Sequence, residues 1–368
     1  MEKWGMFLLL GFVLLASGVL PGPAHARDAG RWAVLCQWVD PYDSAAYQAK
    51  KEPGMAIIAA PRSRLIVAPV REGGTDSPDI QTAALGHSAE FAQWGGRLAG
   101  RTSRPNGYVI DLPDTGGVFP LSVGCRLGRN GGGSAETLPL VIIIPQKLRI
   151  VRGRINGYVM GTYPERDDDR RAPDRFVEIT PDMMDLHISR NFRVGDFVSS
   201  SRSDAQVRHF PKYAVIRHSL INKVERLVDL IDRSPHFQCK GIRVLSGFRT
   251  PDYNRFLPEA AFHSYHQYGL AADIIVDSAP ADGVFDDVNQ DRKSNIYDAA
   301  TLAGICDQLE QRGALPIGGI GLYEHQHSAG KGKWYSTFHV HVDVRESKKT
   351  RWGYAFRNGR RYARLVWR

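Results

Sequence analysis

The 368-residue chain carries 48 Lys and Arg against 39 Asp and Glu, a formal net charge of +9, with 43% hydrophobic and 24% charged residues. That composition excludes a disordered, collagenous or multi-span membrane protein, and the length predicts two domains. The positive charge favours an anionic partner: nucleic acid, acidic lipid or an anionic wall polymer.

Lys3 precedes an apolar run over residues 6–20. Pro21, Gly22 and Pro23 then break the helix, and Ala24-His25-Ala26 offers small residues for cleavage. This is the pattern of a signal peptide over residues 1–26, cut after Ala26. The run is short for a bilayer span, so the mature chain is expected to be exported, periplasmic or extracellular, with no stable membrane span. Export argues against nucleic acid as the partner. In an oxidising compartment Cys36, Cys125, Cys239 and Cys306 can pair; their positions predict one bridge in each half, with three pairings possible. They form no CxxC element, which argues against a cysteine zinc cluster.

Short apolar runs divided by turn residues follow at 32–36, 55–60, 65–70, 108–112, 118–123 and 138–144, which predicts a small all-β domain over residues 27–165. Residues 129–134, with three consecutive glycines, read as a hairpin loop. The stretch 165–171 mixes both charge signs without an apolar period and reads as a solvated connector. Beyond it, residues 166–368 read as an α+β domain. Ile216, Leu220, Val224, Leu227 and Ile231 recur at helical spacing within 212–232. Strands are predicted at 241–245, 317–323 and 337–344 and a second helix at 297–312, with the basic, aromatic segment 345–368 closing the domain.

Residues 337–344 alternate strictly, so on a strand His339, His341 and Asp343 share one face and Val340, Val342 and Val344 the other. Three ionisable side chains do not belong on a core face unless they bind something; alone, the pattern also fits a solvent-facing edge strand. A second cluster lies at 264–273, where His266 and Asp273 stand seven residues apart and Gly269 can turn the chain between them. With one histidine of the later strand they make a two-His, one-carboxylate set. That set suits Zn²⁺ with a fourth position for water, an arrangement of catalytic sites.

Three strings, Ser246-Gly247-Phe248-Arg249-Thr250-Pro251, Ser264-x-His266-x-x-Gly269-x-Ala271-x-Asp273 and His339-x-His341-x-Asp343, occur in this order. Together they resemble the zinc D-Ala-D-Ala metallopeptidases, in the larger group of lysostaphin-type endopeptidases and the hedgehog signalling domain. The resemblance covers roughly residues 175–352 and leaves the β-rich half outside it. It implies an α+β domain around an antiparallel sheet, one zinc ion, and cleavage of peptide bonds in peptidoglycan, as a carboxypeptidase or an endopeptidase. It places the zinc ligands on His266, Asp273 and His341.

His339, about 7 Å along the strand from His341, is then the expected general base or transition-state stabiliser. Some relatives carry a Glu or Asp three residues before the last ligand, where this chain has Phe338. Glu324, in a segment 323–327 read as a loop with His325 and His327, is the nearest carboxylate alternative, and Asp343 is expected to orient a ligand. Arg249, at a strand-to-helix corner, can clamp a substrate carboxylate, as the family's Arg does, or cap the corner. Ser264 is expected to border the substrate and hydrogen-bond within the metal loop, not to act as nucleophile.

A last pattern, Asp287, Asn289, Asp291, Asn295 and Asp298, has the oxygen spacing of an EF-hand Ca²⁺ loop. Arg292 replaces its glycine and Asp298 its final Glu, so a metal-free acidic turn is the alternative. A non-catalytic zinc-stabilised module that binds wall or partner is the alternative to the peptidase as a whole.

Overall fold

The computed structural model describes residues 32–71, 79–85, 108–126, 135–165, 171–198, 210–234, 240–257, 260–278, 280–330, 333–345, 348–357 and 360–365. The apolar run read as part of a signal peptide, residues 129–134 read as a hairpin loop, and residues 166–170 of the charged stretch lie outside them. The described chain is mostly sheet, an α+β arrangement with three α-helices and several largely antiparallel sheets. Among the described residues no helix is long and apolar enough to cross a membrane.

The first half is built from β1 (Trp32–Val39), β2 (Ala46–Lys51), β3 (Ala56–Ile58), β4 (Arg64–Arg71), β5 (Asp79–Leu85), β6 (Tyr108–Asp111), β7 (Gly117–Arg126) and β8 (Ala135–Ile144). They form two four-stranded sheets, ordered β2-β1-β4-β6 and β3-β8-β7-β5. Period-two alternation points Val34, Cys36 and Trp38 of one sheet and Phe119, Leu121, Leu140 and Ile142 of the other into a shared core. The opposite face of the second sheet is not left to solvent: Ala56, Ile58 and Ile143 join the larger core of the C-terminal half.

Short strands β9 (Gln146–Lys147), β10 (Arg154–Ile155), β11 (Tyr158–Val159), β12 (Arg175–Ile179) and β13 (Lys212–Ala214) lead into α1 (His218–Arg233). The predicted helix 212–232 therefore begins later. Lys212–Ala214 pairs with β12, and only after Arg217 does the stripe of Leu220, Val224, Leu227 and Ile231 become helical and buried.

A six-stranded sheet follows, ordered β14-β15-β17-β16-β18-β19: β14 (Ile242–Ser246), β15 (Ala271–Val276), β16 (Gly319–Gly330), β17 (Lys333–Asp343), β18 (Thr350–Arg357) and β19 (Arg360–Arg364). Helix α2 (Pro251–Phe256) follows β14, and α3 (Ile296–Gln311) packs on β16 and β17. The expected antiparallel sheet is mixed, because β16 and β18 run parallel. The segment 323–327 is strand, not loop: it pairs with β17 on one side and β18 on the other.

Cys36 and Cys306 are free, buried thiols, each pushed up to about 12 chiefly by burial, so the expected bridge in each half does not reach them. Each faces a hydrophobic core. Cys239 and the side chain of Cys125 lie outside the described residues.

Candidate metal centre

Three elements bring His266, Asp273 and His341 to one point. His266 lies in a 3-10 turn, Tyr265–Tyr268, whose first amides are capped by Ser264; its buried Oγ accepts from the His266 N–H at 3.4 Å. Gly269 ends the turn at φ +65°, and a Cβ there would stand 2.3 Å from the Val215 carbonyl oxygen, so only glycine fits. The chain then becomes β15 and presents Asp273, directly opposite His341 on β17.

His266 Nε2, Asp273 Oδ1 and His341 Nδ1 stand 3.2, 3.1 and 3.1 Å apart in their three pairs, and all three residues are buried. Their partners fix what those atoms are. His266 Nδ1 lies 2.7 Å from the Gly247 carbonyl oxygen, which can only accept, so in the neutral ring Nε2 carries the lone pair. His341 Nε2 likewise donates to Asp343 Oδ2 at 3.3 Å, leaving the Nδ1 lone pair facing inward. Two imidazole lone pairs and a carboxylate oxygen thus face one another, an arrangement that repels unless a cation lies among them. The group could hold a metal ion, and among the described residues it is the only convergent set of three or more His, Cys, Asp or Glu side chains.

The local charges point the same way. Burial, helped by Arg249, pulls His266 down to about 4, so its ring is neutral. Burial would raise Asp273, but His266, Arg249 and His339 outweigh it and hold the carboxylate well below its usual range. At His341 burial pulls downward, yet hydrogen bonds with Asp273 and Asp343 outweigh it, so this position attracts positive charge.

Arg249 stands at the same centre. A β-bulge between Val244 and Ser246 places Ser246 opposite Asp273, and Ser246 Oγ accepts from Arg249 Nε at 2.8 Å. Arg249 Nη2 pairs with Oδ2 of Asp273, the oxygen turned away from the histidines, and its side chain is 12% exposed. The guanidinium does not cap the corner: Thr250 caps α2 by accepting from the Tyr253 N–H, and it is the backbone N–H of Arg249 that donates to the His266 carbonyl.

His339 shares the site face of β17, with Nε2 3.6 Å from Asp273 Oδ1 and its pKa lowered by burial to about 3, so it is a neutral imidazole. Glu324 is not its substitute. In register it pairs with Phe338, whose side chain lies in the core on the opposite face of the sheet, because residues directly across a ladder share a face. His325 lies on the site face and packs against His339, while His327 meets Thr337 Oγ1 at 2.8 Å; neither joins the metal group.

Two partners of the site went unread in the sequence. Arg345 grips Asp343 through two parallel bonds, Nε to Oδ1 at 2.8 Å and Nη2 to Oδ2 at 2.7 Å, and lies 4.4 Å over the ring of Tyr265 beside His266. The Asp343-x-Arg345 spacing, which continues the alternation past the strand end, was its available signal. Trp352 packs 5.3 Å from His341 because Gly321 lies between their strands; a Cβ on Gly321 would stand 2.5 Å from the indole.

The five oxygen-bearing residues of the calcium-like pattern are turned onto backbone amides. Asp287 accepts from Asp291 and Arg292, Asn289 from Asp291, and Asp291 from Lys293. Asn295 and Asp298 form a capping box that starts α3, with Asp298 also accepting from Asn289.

No protein-family model, no curated protein and no solved structure matches this chain.

Proposed function

We propose that the chain is an exported zinc peptidase of the D-Ala-D-Ala metallopeptidase type, acting on stem peptides or cross-links of peptidoglycan. In this reading a hedgehog- and D-Ala-D-Ala-peptidase-like α+β domain follows a small all-β domain. The observation that carries it is the convergence of the His266, Asp273 and His341 lone pairs. Their separations of 3.1 to 3.2 Å agree with the edge of a tetrahedron, about 3.3 Å for ligand bonds of about 2.0 Å. Two imidazoles and one carboxylate leave a further position for water, the donor set of catalytic zinc. The net charge of +9 suits an anionic wall, and the apolar run over residues 6–20 supports export.

When bound, zinc supplies Lewis-acid polarisation of the scissile carbonyl and lowers the pKa of water to near neutrality. The chain's own residues do the rest. Asp343, held by Arg345, fixes the His341 tautomer with Nδ1 free to ligate. His339, whose Nε2 faces the metal group 3.6 Å from Asp273 Oδ1, is placed to take the proton of the attacking water and return it to the leaving amine. Arg249, steadied by Ser246, binds a substrate carboxylate or the developing oxyanion. Ser264 holds the His266 turn at the border of the substrate.

Mass spectrometry of defined muropeptides incubated with zinc-loaded protein tests the reading and separates loss of a terminal D-Ala from cleavage of a cross-link. A lack of cleavage by the zinc-loaded protein, or undiminished cleavage by His266→Ala, overturns it. One observation favours the non-catalytic wall-binding module instead: Phe338 stands where some relatives carry a carboxylate, and Glu324 points to the other face. His339→Ala with zinc retained discriminates them, since a peptidase loses turnover whereas a binder keeps its affinity for wall fragments.

A further inference from the structure

His339 is set among rings. On the site face of the sheet, His339 of β17, Tyr323 and His325 of β16 and Phe356 of β18 lie in nearly parallel planes. The Tyr323 and His339 centroids are 4.9 Å apart at 15°, and those of His325 and His339 are 5.2 Å apart at 12°. Phe356 backs both β16 rings, 5.3 Å from His325 at 14° and 6.0 Å from Tyr323 at 19°. The cluster follows from register: Tyr323 is directly across from His339 and from Tyr354, and His325 from Phe356. It is tied to the metal group as well, because Trp352 Nε1 donates to Tyr323 OH at 2.7 Å and the Trp352 ring packs on His341.

The second side-chain torsion of histidine is intrinsically broad, so an imidazole without ring neighbours turns its nitrogens through a wide arc. Here Nε2 stands 3.6 Å from Asp273 Oδ1, beyond hydrogen-bond length, and packing against parallel rings is what narrows that arc. We propose that His325 and Tyr323 are positioning residues that hold the His339 imidazole with Nε2 aimed at the metal group. This rests on the peptidase reading only in assigning His339 the proton transfer. Neither ring touches the reacting atoms; each acts through His339, where a misplacement of about 1 Å costs on the order of a hundredfold in rate.

The experiment compares His325→Ala and His325→Phe with the unaltered protein by muropeptide kinetics, zinc content and imidazole ¹⁵N NMR of His339. His325→Ala is expected to lower kcat about 10- to 100-fold with KM and zinc content unchanged, and to broaden or shift the His339 ring signals. His325→Phe, which keeps the parallel ring and removes its nitrogens, is expected to restore kcat to within about threefold and return the His339 signals to their original positions. Unchanged kcat and ring signals in His325→Ala, or a loss in His325→Phe as large as in His325→Ala, overturns the proposal. If the unaltered protein cleaves no muropeptide, the peptidase reading fails on its own, and the NMR comparison still decides the positioning role.

Discussion

The carboxylate of Asp40 accepts a hydrogen bond from the backbone N–H of His218, 178 residues further along the chain, at 3.1 Å. Helix α1 needs it: the residue before the helix, Arg217, makes no side-chain cap, and an uncapped first turn leaves amides without partners. The first sheet supplies the missing acceptor. The same junction sends His218 Nε2 to the Ile58 carbonyl at 2.9 Å and Lys51 Nζ to the Ile188 carbonyl at 2.5 Å. Asp40→Ala is therefore expected to destabilise the protein by about 1 to 2 kcal/mol, read from urea unfolding, and to speed amide exchange in the first turn of α1. Unaltered exchange there would show that the cap is idle.

Asp40 also makes stability depend on pH. Burial, with Asp43 adding to it, raises its pKa from 3.8 to about 6, so between those values the folded state holds a proton that the unfolded chain has released. Its contribution is thus fully present below pH 4 and is lost as pH rises through 6, a change of up to about 3 kcal/mol at about 1.4 kcal/mol per unit. Asp40→Asn cannot titrate. Unfolding free energies measured from pH 4 to 7 should fall more steeply in the unaltered protein than in Asp40→Asn, and equal slopes would contradict the assignment.

Such long-range pairs mark the limit of what the sequence reveals. Strict alternation at 337–344 identified the face that carries His339, His341 and Asp343, because a strand has a period of two whatever its neighbours. The Gly269 turn was equally legible, since a left-handed corner beside a close carbonyl demands glycine. Residues 323–327 were misread as a loop because their polar side chains hide the strand period; they are paired on both sides, and the polar rings face the site. The Asp40 cap carries no local pattern, because its partner lies 178 residues away and is fixed by how the first sheet meets α1, whereas the Arg345 clamp lies two residues from Asp343 and was open to reading from that spacing.

Metal should stabilise the fold measurably, since the three converging donors belong to separate elements and meet only in the native state. Zinc at about one hundred times its Kd is expected to add about 2.7 kcal/mol, and a chelator should remove it. Asp343→Ala leaves the three converging donors in place but frees the His341 ring and deprives Arg345 of its carboxylate, so zinc affinity should fall about 10- to 100-fold. Isothermal titration on metal-stripped protein checks both statements. A midpoint of unfolding indifferent to zinc and chelator alike would contradict the metal centre.

Beneath the site, Lys223 of α1 and Glu310 of α3 form an ion pair at 2.6 Å with both side chains 1% exposed. The pair is not symmetric. Glu310 has a second cation, Arg351, at 2.5 Å, whereas the other bond of Lys223 goes to the uncharged Asp343 carbonyl at 2.7 Å. Removing the lysine leaves a carboxylate still paired; removing the carboxylate strands a buried ammonium. Glu310→Gln is therefore expected to cost about 3 to 5 kcal/mol, and Lys223→Met clearly less. The double variant should be more stable than the sum of the two losses predicts, because the stranded charge is gone. Guanidinium unfolding of the three variants tests this, and a larger loss for Lys223→Met would mean that Arg351 does not support Glu310 once the lysine is gone.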